Sequence, residues 1–238
     1  MATILVASFH DRPQLLHFDP ANASLTLETL DTPSFQDYTW ISAHPKHKGL
    51  FYALQRYSDA PGILSVVKLT PSNTASTSSK KEPPHLEIVK NYPSHGMDPC
   101  HLGISDNADR LSIANVNTSL SSGNLSESAK ERIKSQYETS TVTIYHLKPD
   151  GMINEDIDPE IYDLSKEEFK IGPNQERQEA SHPHGCFYVP GLDCFLVPDL
   201  GADKLRFIGK DKTLPCQAGA GPRHAVIHSD GKLLLYDM

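Results

Sequence analysis

Two residues of this chain combine a reactive side chain with a setting that could aim it. His184 lies in the run His182-Pro183-His184-Gly185, and Arg223 in Gly221-Pro222-Arg223-His224. An imidazole with a pKa near ~6.5 can take and return a proton at neutral pH. A guanidinium presents a planar fork that fits phosphate or carboxylate and can polarise a carbonyl. The pair therefore offers acid/base chemistry (His184) beside an anion clamp (Arg223). His101, His182, Asp199 and His224 are the further candidates for substrate binding. Asp199 could orient a histidine or cap a strand turn, and His182 and His224 could equally serve the fold. His182 and His184 could supply two metal ligands only if both point the same way, with His101 or Asp199 as a third. That spacing alone is a weak signal, so the expected site holds no metal and no cofactor.

These residues need elements to position them, and the local pattern is β throughout. Short apolar or alternating runs bounded by Gly, Pro, Asn and Asp predict strands over 3–9, 15–18, 25–30, 50–54, 63–69, 86–89, 111–116, 141–147, 186–189, 194–197, 204–208, 225–228 and 232–236. Helical pattern is confined to 127–137, with a turn or two at 163–169. The segments 70–84 and 117–140 are polar and read as loop insertions in a single domain spanning 1–238. Four stretches stack as repeats: 40–54, 100–115, 184–199 and 223–237. Each is a short strand, a polar turn and a second strand, with a further strand after the second and third. Two strands cannot bury both faces, whereas repetition about an axis buries face against face. Strand pattern alone leaves propeller and sandwich open. In the stacking His184 and Arg223 are equivalent, one repeat apart, and His101 takes the same repeat position in the second.

Composition narrows the chemistry. The 238 residues carry a formal net charge of −8, which disfavours nucleic acid and anionic membrane as main partners. No apolar run approaches the ~18 residues of a membrane span, and the N-terminus lacks the basic start of a secretion signal. The four cysteines form no CxxC pair, which fits a reduced, cytoplasmic setting. There is no Gly-rich phosphate loop and no G-x-S-x-G elbow, so nucleotide binding and covalent serine catalysis are disfavoured.

Three motifs carry a resemblance. They are His182-Pro-His-Gly185, Val197-Pro-Asp-Leu-Gly-Ala-Asp-Lys-Leu205 and Gly219-Ala-Gly-Pro-Arg-His-Ala-Val-Ile-His-Ser-Asp-Gly231. Together they resemble the lactonase family of seven-bladed β-propellers. That family includes 6-phosphogluconolactonases and is related to the carboxy-cis,cis-muconate cyclases. Ala114-Asn115 resembles its Ala-Asn strand end, and the likeness is strongest from about Ser181 onward. The resemblance implies an all-β, incomplete propeller of about four to five blades out of seven, with a glutamate expected just past Met238. It implies hydrolysis of a sugar lactone, most simply 6-phosphogluconolactone in the pentose phosphate route, without a cofactor. His184 would be acid/base and Arg223 anion holder. The alternatives are a muconate-cyclase-like lactonising enzyme and a non-catalytic propeller fragment acting as a binding module. The implied partner is a small anionic lactone, with self-association through the open edge of an unclosed ring.

Overall fold

The computed structural model describes residues 2–6, 13–30, 32, 37–57, 60–70, 84–117, 126–136, 140–167, 170–210, 212–228 and 233–237. Their strands follow chain order into five antiparallel sheets. The first contains β1 (Ala2–Val6), β2 (Gln14–Asp19) and β3 (Ser24–Thr29). The second contains β4 (Tyr38–Ala43), β5 (Leu50–Gln55), β6 (Ile63–Thr70) and β7 (His85–Pro93). The third contains β8 (Pro99–Ile104), β9 (Arg110–Asn115), β10 (Thr141–His146) and β11 (Glu160–Asp163), and one helix, α1 (Glu127–Gln136), lies between β9 and β10. The fourth contains β12 (Phe187–Val189), β13 (Cys194–Asp199), β14 (Lys204–Ile208) and β15 (Lys212–Pro215). The fifth contains β16 (Pro222–Ile227) and β17 (Leu233–Asp237). The helix fits the polar 127–137 segment, and the turn read at 163–169 is a 3₁₀ helix at Leu164–Lys166. The rest of the two proposed insertions, 71–83, 118–125 and 137–139, lies outside the described residues.

Each sheet buries one face on its neighbour in sequence, so four separate apolar seams form. Leu15 and Leu30 pack with Tyr38, Ala53 and Val67 between the first two sheets. Tyr52, Leu64 and Val66 meet Leu102, Ile113 and Tyr145 between the second and third. Ala114 and Val142 meet Phe195, Val197 and Ile208 between the third and fourth. Leu196, Leu205 and Phe207 meet Ala225 between the fourth and fifth. A central sheet is therefore apolar on both faces, as β5, β6, β9, β10 and β13 show in their burial. This serial stacking is a propeller arc rather than a two-layer sandwich.

The first strands of successive sheets approach closely along a common hub. Thr39 Oγ1 on β4 donates to Pro99 O at the start of β8, at 2.5 Å. A side-chain carbon at Gly103 would stand 2.4 Å from Cys186 O, so only glycine lets β8 draw this near the chain entering β12. The repeat is fuller than the two or three strands expected, because β7, β11 and β15 complete the second, third and fourth sheets.

Candidate active site at the hub

One local irregularity recurs at the hub. Tyr38 pairs with Gln55, Pro99 with Asn115 and Pro222 with Asp237, and in each sheet the register then slips by one residue. The extra residues are Thr39, Cys100 and Arg223. The fourth sheet repeats the slip: Pro183 bridges Asp199, yet Phe187 pairs with Leu196. The matching residue there is His184, whose N–H donates to Pro198 O at 2.9 Å. A bulge re-aims the side chain it carries. Thr39, Cys100, His184 and Arg223 are thus one position seen in four sheets. Trp40, His101, Gly185 and His224 are the next. The expected equivalence of His184 and Arg223 agrees with this register. His101 is instead equivalent to His224, and Cys100 takes the place first given to it.

The bulge brings the two main candidates into contact. Arg223 Nε donates to His184 Nε2 at 3.0 Å. A guanidinium only donates, so Nε2 holds the lone pair and the imidazole proton sits on Nδ1. Nδ1 faces Cys100 Sγ at 3.9 Å, and the thiol donates to His184 O at 3.5 Å. Burial, then the Arg223 charge, push the His184 pKa down to about 3. His184 is therefore neutral at pH 7. Burial also lifts the Cys100 thiol well above its ordinary value, so it is an inert wall.

The neighbouring position builds an aromatic cluster. The His101 ring lies 4.1 Å from Trp40 and 4.8 Å from Phe187, between centroids, and 6.1 Å from His224. His224 is 5.5 Å from His184 in an edge-on contact, which joins the cluster to the Arg223–His184 pair. Burial, then Arg223, lower the His224 pKa. In the fourth sheet the aromatic position is Gly185, and the Phe187 ring occupies the space, 2.4 Å from where a Gly185 side-chain carbon would stand. That explains glycine after His184. The site is an arginine and two histidines above a floor of Trp40, His101 and Phe187. Trp40, Phe187 and Cys100 were not foreseen. The signal that could have found them is the four-fold alignment of the bulged residue and its successor.

Two candidates lie elsewhere, in the fold's support. Asp199 is fully buried and accepts from Ser181 Oγ, His182 N, Ala202 N and Arg206 Nε. Arg206 reaches on to both oxygens of Glu167. Breaking a buried pair of this kind costs about 3–5 kcal/mol, so Asp199 serves the fold. His182 is buried too, with Nδ1 2.5 Å from Val116 O and Nε2 3.0 Å from Glu179 Oε1. Both nitrogens are engaged away from Arg223, so His182 does not join His184 and the two do not form a ligand pair. Among the described residues, no group of three or more His, Cys, Asp or Glu could hold a metal ion. No disulfide joins the four cysteines. No helix among the described residues is long and apolar enough to cross a membrane.

Known proteins share this architecture. A family model described as "Lactonase, 7-bladed beta-propeller" matches residues 10–236. A protein of Arthroderma benhamiae carried under the name "Probable 6-phosphogluconolactonase" is 30% identical over 107 residues, 40% of this chain and 25% of its own. A Bacteroides fragilis structure named provisionally as a 6-phosphogluconolactonase superposes with a TM-score of 0.68 at 18% identity, covering 99% of this chain and 60% of that one. A periplasmic gluconolactonase of Pseudomonas aeruginosa gives 0.68 at 19% identity, covering 98% and 61%. The chain thus spans about three-fifths of the solved structures it matches. With five serial sheets around a hub and a family match over nearly its whole length, the chain belongs to the lactonase family of seven-bladed β-propellers.

Proposed function

We propose that this chain supports hydrolysis of an anionic sugar lactone, with 6-phosphogluconolactone as the substrate that suits it best. The observation that carries the reading is the 3.0 Å contact between Arg223 Nε and His184 Nε2, made across two adjacent sheets at the hub. Arg223 would hold the phosphate, and His184 would be the acid/base group. The contact couples the two tasks. A bound anion draws the guanidinium from Nε2 and offsets its charge, the second cause after burial of the low imidazole pKa, so the Nε2 lone pair is freed and its basicity rises as substrate arrives. The freed Nε2 takes a proton from water, whose oxygen adds to the ester carbonyl. Collapse of the tetrahedral adduct breaks the ring C–O bond, and the imidazolium returns its proton to the departing ring oxygen. A neutral lactone leaves the lock closed.

The reading extends to setting and partners. Four cysteines without a disulfide suit a reduced, cytoplasmic compartment. An uncovered apolar face on the first sheet suits self-association.

The test is hydrolysis of 6-phosphogluconolactone by the purified chain, followed by acid release. The expected result is a rate well above the spontaneous one, with kcat/KM lower by about a hundredfold in Arg223→Gln, the loss of a charge-assisted anion contact. A wild-type rate equal to buffer, or an Arg223→Gln rate equal to wild type, would overturn it. Loss of a muconate's ultraviolet absorbance instead would favour the lactonising alternative.

A further inference from the structure

His101 has a geometry that the proton-transfer scheme above does not use. The backbone N–H of Cys186 donates to His101 Nδ1 at 3.1 Å. Nδ1 is therefore the acceptor and the ring proton sits on Nε2. Trp40 and Phe187 lie against the ring, at centroid distances of 4.1 and 4.8 Å, and hold its orientation. Nε2 has no hydrogen-bond partner among the described residues, and it is not among the enclosed polar atoms that lack one. It therefore keeps access to solvent space although His101 as a whole is only 6% exposed. Its neighbour His224 is the link to His184 and Arg223.

We propose that His101 is a catalytic hydrogen-bond donor: its Nε2–H binds the lactone carbonyl oxygen and stabilises the oxyanion formed when water adds. The assignment rests on the lactonase reading for its reaction, and it gives His101 a task that simple substrate contact does not. A donor fixed before the reaction gains strength as the carbonyl oxygen takes on charge, and low exposure to water magnifies that gain. The donor must be neutral to remain distinct from the proton-carrying His184. Burial, then His224, push its pKa down to about 3, so it stays neutral at working pH. No bond to His101 forms or breaks, and the proton stays on Nε2 throughout. The arrangement requires the substrate to bridge Arg223 by its anion and His101 by its carbonyl, with the attacking water on the His184 side.

Two measurements test this on the whole chain. A long-range ¹H–¹⁵N spectrum should show Nε2 protonated and Nδ1 unprotonated, without titration between about pH 5 and 8. Added 6-phosphogluconate, whose carboxylate takes the place of the carbonyl, should shift the Nε2–H resonance. In kinetics, His101→Phe should lose about a hundredfold in kcat with little change in KM, as loss of an oxyanion donor does. His101→Gln, which can accept from Cys186 and still donate, should recover most of that loss. The proposal is overturned by an Nδ1–H tautomer, by a ligand that shifts His184 but not His101, or by a folded His101→Phe with wild-type kcat. A chain that binds 6-phosphogluconate through His101 but opens no lactone overturns the hydrolytic reading and the catalytic role, and leaves a binding donor.

Discussion

The buried histidines differ in the partners that oppose or add to burial, and stability should report it. His184 and His101 both fall to about 3 on folding, whereas an unfolded chain titrates them near ~6.5. Between those values the unfolded state binds more protons, so stability falls as pH drops from about 6.5 toward 3, by up to about 1.4 kcal/mol per pH unit for each histidine. His182 has the opposite sign. Burial lowers its pKa, but Glu179 and Val116 O outweigh it and raise the value. Its contribution is present at low pH and lost as pH rises through the folded value. Urea midpoints measured between about pH 7 and 4 should fall steeply in wild type, and His101→Gln should flatten the slope. Equal slopes would show that His101 is not desolvated as described. Residue type alone could not separate these histidines. In the sequence the family motifs and the shared repeat position single out His184 and Arg223, while His182 reads as equally structural or functional. Its role is set by Val116, sixty-six residues away.

At the scale of elements, the apolar strands were legible because a central propeller strand is buried on both faces. Lys204–Ile208 was read at its observed bounds. The misses share a cause. β11 and β15 lie on outer edges and are largely exposed, so they need no apolar pattern. β4 (Tyr38-Thr-Trp-Ile-Ser-Ala43) and β8 (Pro99-Cys-His-Leu-Gly-Ile104) have apolar patterns broken by the residues that face the hub, and they surfaced only through the repeat. The first sheet presents the clearest unmet demand for a partner. On one of its faces Ile4, Leu16 and Leu27 align across three strands, and Phe18 pairs with Leu25 beside them. Ile4 is 53% exposed, and Leu25 and Leu27 are 63% exposed. Exposed apolar side chains grouped on one face are expected to favour association. Sedimentation velocity should show the wild-type chain self-associating with concentration, and Leu25→Lys with Leu27→Lys should shift it to monomer. A wild-type chain monomeric at every concentration would contradict the proposed self-association.

Across the whole molecule, serial sheets turn separate short motifs into one site. Cys100, His184 and Arg223 are 84 and 39 residues apart in sequence, yet they meet because each sits at the bulge where the chain enters the first strand of its own sheet. Propeller geometry was legible in the repeats and family motifs. The coupling of Arg223 to His184 was not, because it depends on the depth to which each bulge pushes its side chain. The measurement that tests the account most directly is a crystal structure with 6-phosphogluconate bound. The account predicts phosphate on the Arg223 guanidinium, the Arg223–His184 hydrogen bond opened and the sugar carboxylate beside His101 Nε2. Ligand seated instead in the cleft lined by Arg110, His146 and Asp193, with the Arg223–His184 bond intact, would contradict it.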